Sequence, residues 1–241
     1  METITVSGDV DLYAVGYSRK RDDSYIGRGL LTCKKYVIFV GDSRVGRFKQ
    51  AIALNHDEDY LDEHHVVVRR SPGRGIDHYL KESGVGTEKN LIHTVQELYQ
   101  TKNKKIAVVM CYGVNDLKNF LVPTSADLSL LVDRYIEMLR ELQISLKKYH
   151  VMIYYLSVNP INSAINRTRR EKTIRAFNEQ MKASLPAGIR YIDAYHFLMR
   201  EGFCTDKYVS AKKLLDDGLH YSAGTSYKVM NYVIDLINRE Y

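Results

Sequence analysis

The sequence predicts an α/β fold in which a parallel sheet is covered by helices on both faces. Three observations carry this. Continuous apolar runs of strand length recur along the chain, as in strands buried on both faces. Amphipathic helical stretches lie between those runs, which is the order of strands joined by crossover helices. The 241 residues hold only four prolines and no Gly/Ser/Pro-rich linker, repeat or low-complexity segment, so one domain is expected rather than two.

Residues 1–35 fit the pattern least. Ile4–Val6 and Leu12–Val15 read as short strands or as an extended arm, so 1–35 is read as an N-terminal extension packed on a domain spanning 36–241. Tyr36–Val40 (YVIFV), closed by Gly41, is the first buried strand, and His65–Val68 (HVVV) is the second. Leu91, Val95 and Leu98 mark a weak helix before the third strand, Ile106–Cys111 (IAVVMC). Leu128, Leu131, Tyr135, Met138, Leu142 and Leu146 recur at steps of three and four and give one apolar helix face. Val151–Leu156 (VMIYYL) is the fourth strand. Thr168 with Glu171 has the spacing of a capping box, followed by Ile174, Phe177 and Met181 on one helix face. Ile189–Ile192 (IRYI) is a short fifth strand, and Met230, Val233, Ile234 and Ile237 mark a final helix.

Composition removes several classes. Apolar residues make up 45% and charged residues 27%, which a disordered chain does not reach. No apolar run approaches the roughly 18 residues that cross a bilayer. The N-terminal METITVSGDVD lacks the cationic start and apolar stretch of a secretory signal, so a cytoplasmic location and no membrane partner are expected. Thirty-five basic against 29 acidic residues leave a net charge of +6, a mild excess that does not specify a nucleic-acid partner. The three cysteines, Cys33, Cys111 and Cys204, form no CxxC, and a reduced compartment is the simplest reading.

In a parallel α/β sheet, sites form beyond the C-terminal ends of the strands, and three segments then stand out. Gly41-Asp42-Ser43-Arg44 follows the first strand, Gly113-Val114-Asn115-Asp116 follows the third, and the loop Asp217-Gly218-Leu219-His220-Tyr221-Ser222 precedes the last helix. A serine hydroxyl is a weak nucleophile until an adjacent base takes its proton, which histidine does near neutral pH. A carboxylate holds the imidazole in the correct tautomer. The tetrahedral oxyanion needs preorganised donors, which an asparagine amide and glycine-turn backbone amides supply.

GDS after the first strand, GxND after the third and DGLH before the last helix resemble the SGNH hydrolases, also called the GDSL esterase/lipase family. The resemblance runs from about Tyr36 to the C-terminus, and Leu156-Ser157-Val158-Asn159-Pro160 with Phe177-Asn178 is similar to a bacterial subgroup. It implies a three-layer α/β/α sandwich with a five-stranded parallel sheet, flavodoxin-like in arrangement. It implies Ser43 as nucleophile, His220 as base, Asp217 as the orienting carboxylate and Asn115 as an oxyanion-hole donor beside the Ser43 amide. The family's second block adds a glycine amide after the second strand. Here that loop reads Arg69-Arg70-Ser71-Pro72-Gly73-Arg74-Gly75, and Gly73 is chosen by its distance from the strand, with Gly75 as runner-up. The implied activity is hydrolysis of a carboxylic ester, with a short acyl group such as acetyl on a carbohydrate or other small alcohol, and no cofactor or metal. An acyltransferase using the same site and a catalytically idle binding module stay open, as does the oligomeric state.

Each residue also has a plainer reading. Ser43 sits where a helix N-cap belongs, and Asn115 where a turn asparagine does. Gly41 and Gly46 have P-loop spacing, but Arg47 and Phe48 replace the required Lys-Ser/Thr, and Val45 excludes a GxSxG elbow. Asp42 and Asp116 are expected to fix the two loops by hydrogen bonds, and Asp216 is an alternative orienter of His220. His64-His65 with Asp62 and Glu63 lacks a complementary ligand cluster and reads as a solvated turn. Arg167, Arg169, Arg170, Lys172 and Arg175 read as a solvated basic face. Asn166-Arg167-Thr168 is a sequon expected to be unused. The loops Asn119–Thr124 and Asn159–Ile165 are expected to shape the acyl and alcohol pockets.

Overall fold

The apolar runs pair side by side in the computed structural model, which describes residues 23–57, 59–81, 83–102, 104–118, 120, 124–207 and 216–240. Among them the order is α1 (Asp23–Arg28), β1 (Tyr36–Gly41), α2 (Ser43–Ala53), α3 (Tyr60–Glu63), β2 (Val66–Arg70), α4 (Ile76–Tyr79), α5 (Glu88–Thr101), β3 (Ile106–Cys111), α6 (Ser125–Leu146), a 3-10 turn (Lys147–Tyr149), β4 (Met152–Leu156), α7 (Glu171–Ser184), β5 (Ile189–Ile192), α8 (Ala194–Glu201), β6 (Thr205–Lys207), β7 (Asp216–Tyr221) and α9 (Ala223–Arg239). Ile4–Val6 and Leu12–Val15 lie outside the described residues.

Five strands form one parallel sheet in the order β2-β1-β3-β4-β5. Successive side chains of a strand point to opposite faces, and β1 divides accordingly. Tyr36, Ile38 and Val40 pack with Leu91, Val95, Leu139 and Phe177 of α5, α6 and α7. Val37 and Phe39 pack with Val45, Phe48, Leu198 and Val233 of α2, α8 and α9. All six β1 residues are buried, and burying a large apolar side chain contributes about 1.5–3 kcal/mol. This is the expected three-layer α/β/α sandwich. The chain leaves β1 outward to β2 and returns across it to β3, so the sheet's topological switch point lies between β1 and β3, where such sheets open a crevice. Gly41 pairs with Cys111 there, which brings the GDS and GVND turns to one place.

Some elements differ from the sequence reading. The second strand begins at Val66, because His65 takes a left-handed turn (φ 59°), and it extends through Arg69 and Arg70. It is the sheet's edge strand, where polar residues are tolerated. The DGLH segment is a strand rather than a loop: β7 pairs antiparallel with β6. Its sequence, DDGLHY, has too few apolar residues to announce it. The capping box expected at Thr168 and Glu171 is absent. The helix starts at Glu171 after Arg170, while Thr168 bonds back to Asn166 Oδ1 and buried Glu171 accepts from the Ile161 amide. A capping box does occur at Thr124 and Asp127, opening α6.

Candidate active site

The turn that carries Ser43 is set by Asp42. Its Oδ1 accepts from the Arg44 amide at 2.8 Å and caps α2, so Ser43 is the first helical residue and not the cap. Asp42 therefore ties down its own helix rather than a neighbouring loop. It is almost fully buried, and burial pushes its carboxyl up to about 6 despite the Arg44 guanidinium and amide, which favour the charged form.

The β7 segment brings an imidazole and a carboxylate to that turn. Asp217 Oδ1 accepts from the Leu219 and His220 amides at 2.9 and 3.0 Å, a local loop that three-residue spacing permits. Its Oδ2 lies 2.7 Å from His220 Nδ1. An ionised carboxylate only accepts, so Nδ1 carries a proton and Nε2 presents its lone pair. Nε2 is 2.7 Å from Ser43 Oγ. Burial opposes ionisation of Asp217, but the bonds from the His220 ring and amide outweigh it and hold the carboxyl at about 2. Asp216 turns elsewhere, accepting from Gly218 N and Thr205 Oγ1. Between the acid and the base, Gly218 is in the left-handed region (φ 69°), and a Cβ there would stand 2.7 Å from Asn162 O, so only glycine fits.

The GVND turn faces this from β3. Asn115 Nδ2 donates to Arg74 O at 3.0 Å, and its Oδ1 accepts from Arg169 at 2.9 Å. Asp116 accepts from the Ile76 amide and from Tyr135 Oη, tying the turn to α4 and α6, and burial raises its pKa. The glycine loop after β2 is drawn in by Ser71 N, which donates to Gly41 O at 2.7 Å. Gly73 is left-handed (φ 70°) with open space where a Cβ would stand, whereas a Cβ on Gly75 would fall 2.1 Å from Asp116 Oδ1. Gly73 is thus required by conformation and Gly75 by close approach.

Several supporting residues escaped the sequence reading. Arg44 donates to Leu219 O, Asn159 O and Pro160 O, and Arg47 donates to Tyr221 O. The carbonyls on both sides of His220 are therefore held by the helix that carries Ser43. Asn162 N donates to Gly218 O, and Asn166 Nδ2 donates to Asp217 O. The sequon asparagine is buried within this hydrogen-bond network. Of the basic run, Arg169 is buried and touches the site, while Arg167, Arg170, Lys172 and Arg175 are exposed. The one advance signal was an arginine directly after the motif serine. The loop 159–165 is split: its first half is buried and bonded to Arg44 and Glu171, and Ile165 is exposed. Most of 119–124 lies outside the described residues. A cavity of about 20 Å³ beneath the turn is lined by Asp42, Cys111, Tyr112 and Asn159 among others.

Asp62 binds Tyr36 Oη and Lys102, and among the described residues no three His, Cys, Asp or Glu side chains group to hold a metal. The cysteines are free thiols, and no described helix is long and apolar enough to cross a membrane.

The family model of GDSL-like lipase/acylhydrolase matches residues 37–233. Among solved structures, a GDSL-like lipase from Bacteroides thetaiotaomicron superposes with a TM-score of 0.52 at 15% identity, over 92% of this chain and 98% of that one. An acetyl xylan esterase superposes with a TM-score of 0.50 at 15% identity, over 83% of this chain and 98% of that one. At such identities the likeness is one of fold. No curated protein matches the chain.

Proposed function

The chain belongs to the GDSL-like lipase/acylhydrolase family, and from that premise we propose that it is a serine esterase cleaving carboxylic esters of short acyl groups, such as acetyl, on a carbohydrate or another small alcohol. The observation that carries the proposal is the unbroken line Ser43 Oγ, His220 Nε2, His220 Nδ1, Asp217 Oδ2, with 2.7 Å at each of its two hydrogen-bonded contacts. His220 takes the Ser43 proton as Oγ attacks the ester carbonyl. The imidazolium so formed is stabilised by Asp217, whose carboxyl stays ionised far below neutral pH. The oxyanion is met by the Ser43 and Gly73 amides and by Asn115 Nδ2. His220 then protonates the leaving alcohol, and water repeats the sequence on the acyl-enzyme. No metal or organic cofactor enters this scheme.

The short-acyl reading is supported by the chain having no long insertion between the three motifs, and by the acetyl xylan esterase among proteins of the same fold. Fold alone does not choose a substrate, so chain length is the variable to measure. Turnover of 4-nitrophenyl acetate is expected to exceed that of the octanoate. Ser43→Ala should lower kcat by about 10³-fold or more, and an organophosphonate should label Ser43 in intact-protein mass spectra. Wild-type protein that neither turns over any ester nor takes up phosphonate is an idle binding module. Acyl transfer to an added alcohol in preference to water makes the chain a transferase.

A further inference from the structure

We infer that Arg169 is a positioning residue of the oxyanion site, fixing the Asn115 carboxamide so that its NH2 end faces the reacting carbonyl. The inference rests on the esterase reading. A carboxamide has two ends of similar shape, and its partners decide which end faces where. Asn115 has two partners of opposite kind. A guanidinium has only donors, so the Arg169 Nη2 contact at 2.9 Å selects Oδ1. A carbonyl only accepts, so the Arg74 O contact at 3.0 Å selects Nδ2. Only one orientation satisfies both. Arg74 O occupies one Nδ2 proton, and the other remains for the oxyanion.

Arg169 is itself well held. Its Nε donates to Val114 O at 2.6 Å and its Nη1 to Thr168 Oγ1 at 3.0 Å. The guanidinium fork thus grips two acceptors of the same turn, the Val114 carbonyl and the next residue's side chain, which a lysine ammonium cannot match. The side chain is 5% exposed. Burial lowers its pKa to about 10, which leaves it charged at neutral pH, and Asp42 and Asp217 act on it only at a distance. A buried cation without a bonded carboxylate is expensive. An anion forming beside Asn115 during the reaction adds a nearby negative charge to the distant ones of Asp42 and Asp217.

The test is a double-mutant cycle on a chromogenic acetate. Arg169→Met should lower kcat about 10- to 100-fold with KM changed less than about threefold, at or below the roughly 100- to 1000-fold lost when an oxyanion donor is removed outright, because Asn115 itself stays in place. Arg169→Lys should recover less than about a tenth of wild-type kcat. In an Asn115→Ala background, Arg169→Met should lower kcat by less than about threefold, because the group it positions is gone. Wild-type kcat in Arg169→Met, or an equal loss in both backgrounds, overturns the inference. Should Arg169→Met fail to fold, Arg169→Lys decides: a wild-type melting temperature with reduced kcat supports it, and wild-type kcat overturns it. Absence of Ser43-dependent turnover in the wild type overturns the esterase reading instead, and the positioning role falls with it.

Discussion

Two aspartates near one serine are pushed in opposite directions by their surroundings. Asp42 is buried with one oxygen bonded to the Arg44 amide and its carboxyl rises to about 6, while Asp217 receives three N–H bonds and falls to about 2. Their effects on stability have opposite signs. The folded value of Asp42 lies above the unfolded reference of 3.8, so the native state holds that proton more tightly. Its contribution is full below about pH 4 and is lost as pH rises through about 6, where ionisation leaves a buried carboxylate. Asp217 contributes above about pH 4, and that contribution disappears as pH falls towards 2. Asp42→Asn keeps an oxygen to cap α2 and removes the ionisation. It should therefore flatten the stability profile between pH 4 and 6 and raise stability at pH 7.5 by up to about 3 kcal/mol. Urea unfolding at pH 4.5 and pH 7.5 measures this, and an unchanged pH slope in Asp42→Asn contradicts the assignment.

At the scale of elements, α2 carries the proposed nucleophile and also grips the strand that carries the proposed base. Arg44 satisfies three carbonyls, one before His220 and two in the loop after β4, and Arg47 donates to the carbonyl after His220 and to Gln50 Oε1. A buried carbonyl left without a donor costs about 1–3 kcal/mol. Arg44→Met should therefore destabilise by about 3 kcal/mol or more, and it should lower kcat, since the Ser43–His220 distance loses its brace. Destabilisation by less than about 1 kcal/mol would show that the carbonyl count is not what matters. The same distinction explains what was legible in the sequence. Strands in the sheet interior announce themselves, because burial on both faces demands unbroken runs such as YVIFV and IAVVMC. Ser43, Asn115, Asp217 and His220 were legible because each site residue lies in a short motif at a chain position that the topology makes meaningful. The braces were not. Arg44, Arg169 and Asn166 bond carbonyls or side chains about 50–175 residues away, and no local pattern marks a cation as inward-facing. Thr168 and Glu171 misled for the same reason: their spacing is local, and their actual partners include Ile161 N across the turn.

For the molecule as a whole, function sits at one end of the sheet and the docking of residues 29–35 elsewhere. Asn231 and Asn238 lie seven residues apart on α9, hence on one helix face, and each side chain behaves like a strand partner. Asn231 accepts from Leu31 N and donates to Gly29 O, and Asn238 accepts from Lys34 N and donates to Thr32 O. Leu30 and Cys33 are buried beside them, and Lys35 Nζ reaches Ile237 O. The proposed base, His220, precedes the other end of α9, which begins after its Ser222 cap. At 1.5 Å per residue the two asparagines stand roughly 14–24 Å along the axis from that cap. If the sheet and α9 are rigid over that distance, loosening this segment should not reach the site. The double variant Asn231→Ala/Asn238→Ala loses five hydrogen bonds, three of them solvent-exposed, so each is worth less than about 1 kcal/mol in net terms. Its Tm should fall by about 2–6 °C for a chain of this length, and kcat/KM for the acetate should stay within about twofold of wild type. A fall in kcat/KM beyond tenfold, measured well below the Tm, would mean that α9 transmits the docking of residues 29–35 to His220, and that the two ends of the molecule work as one.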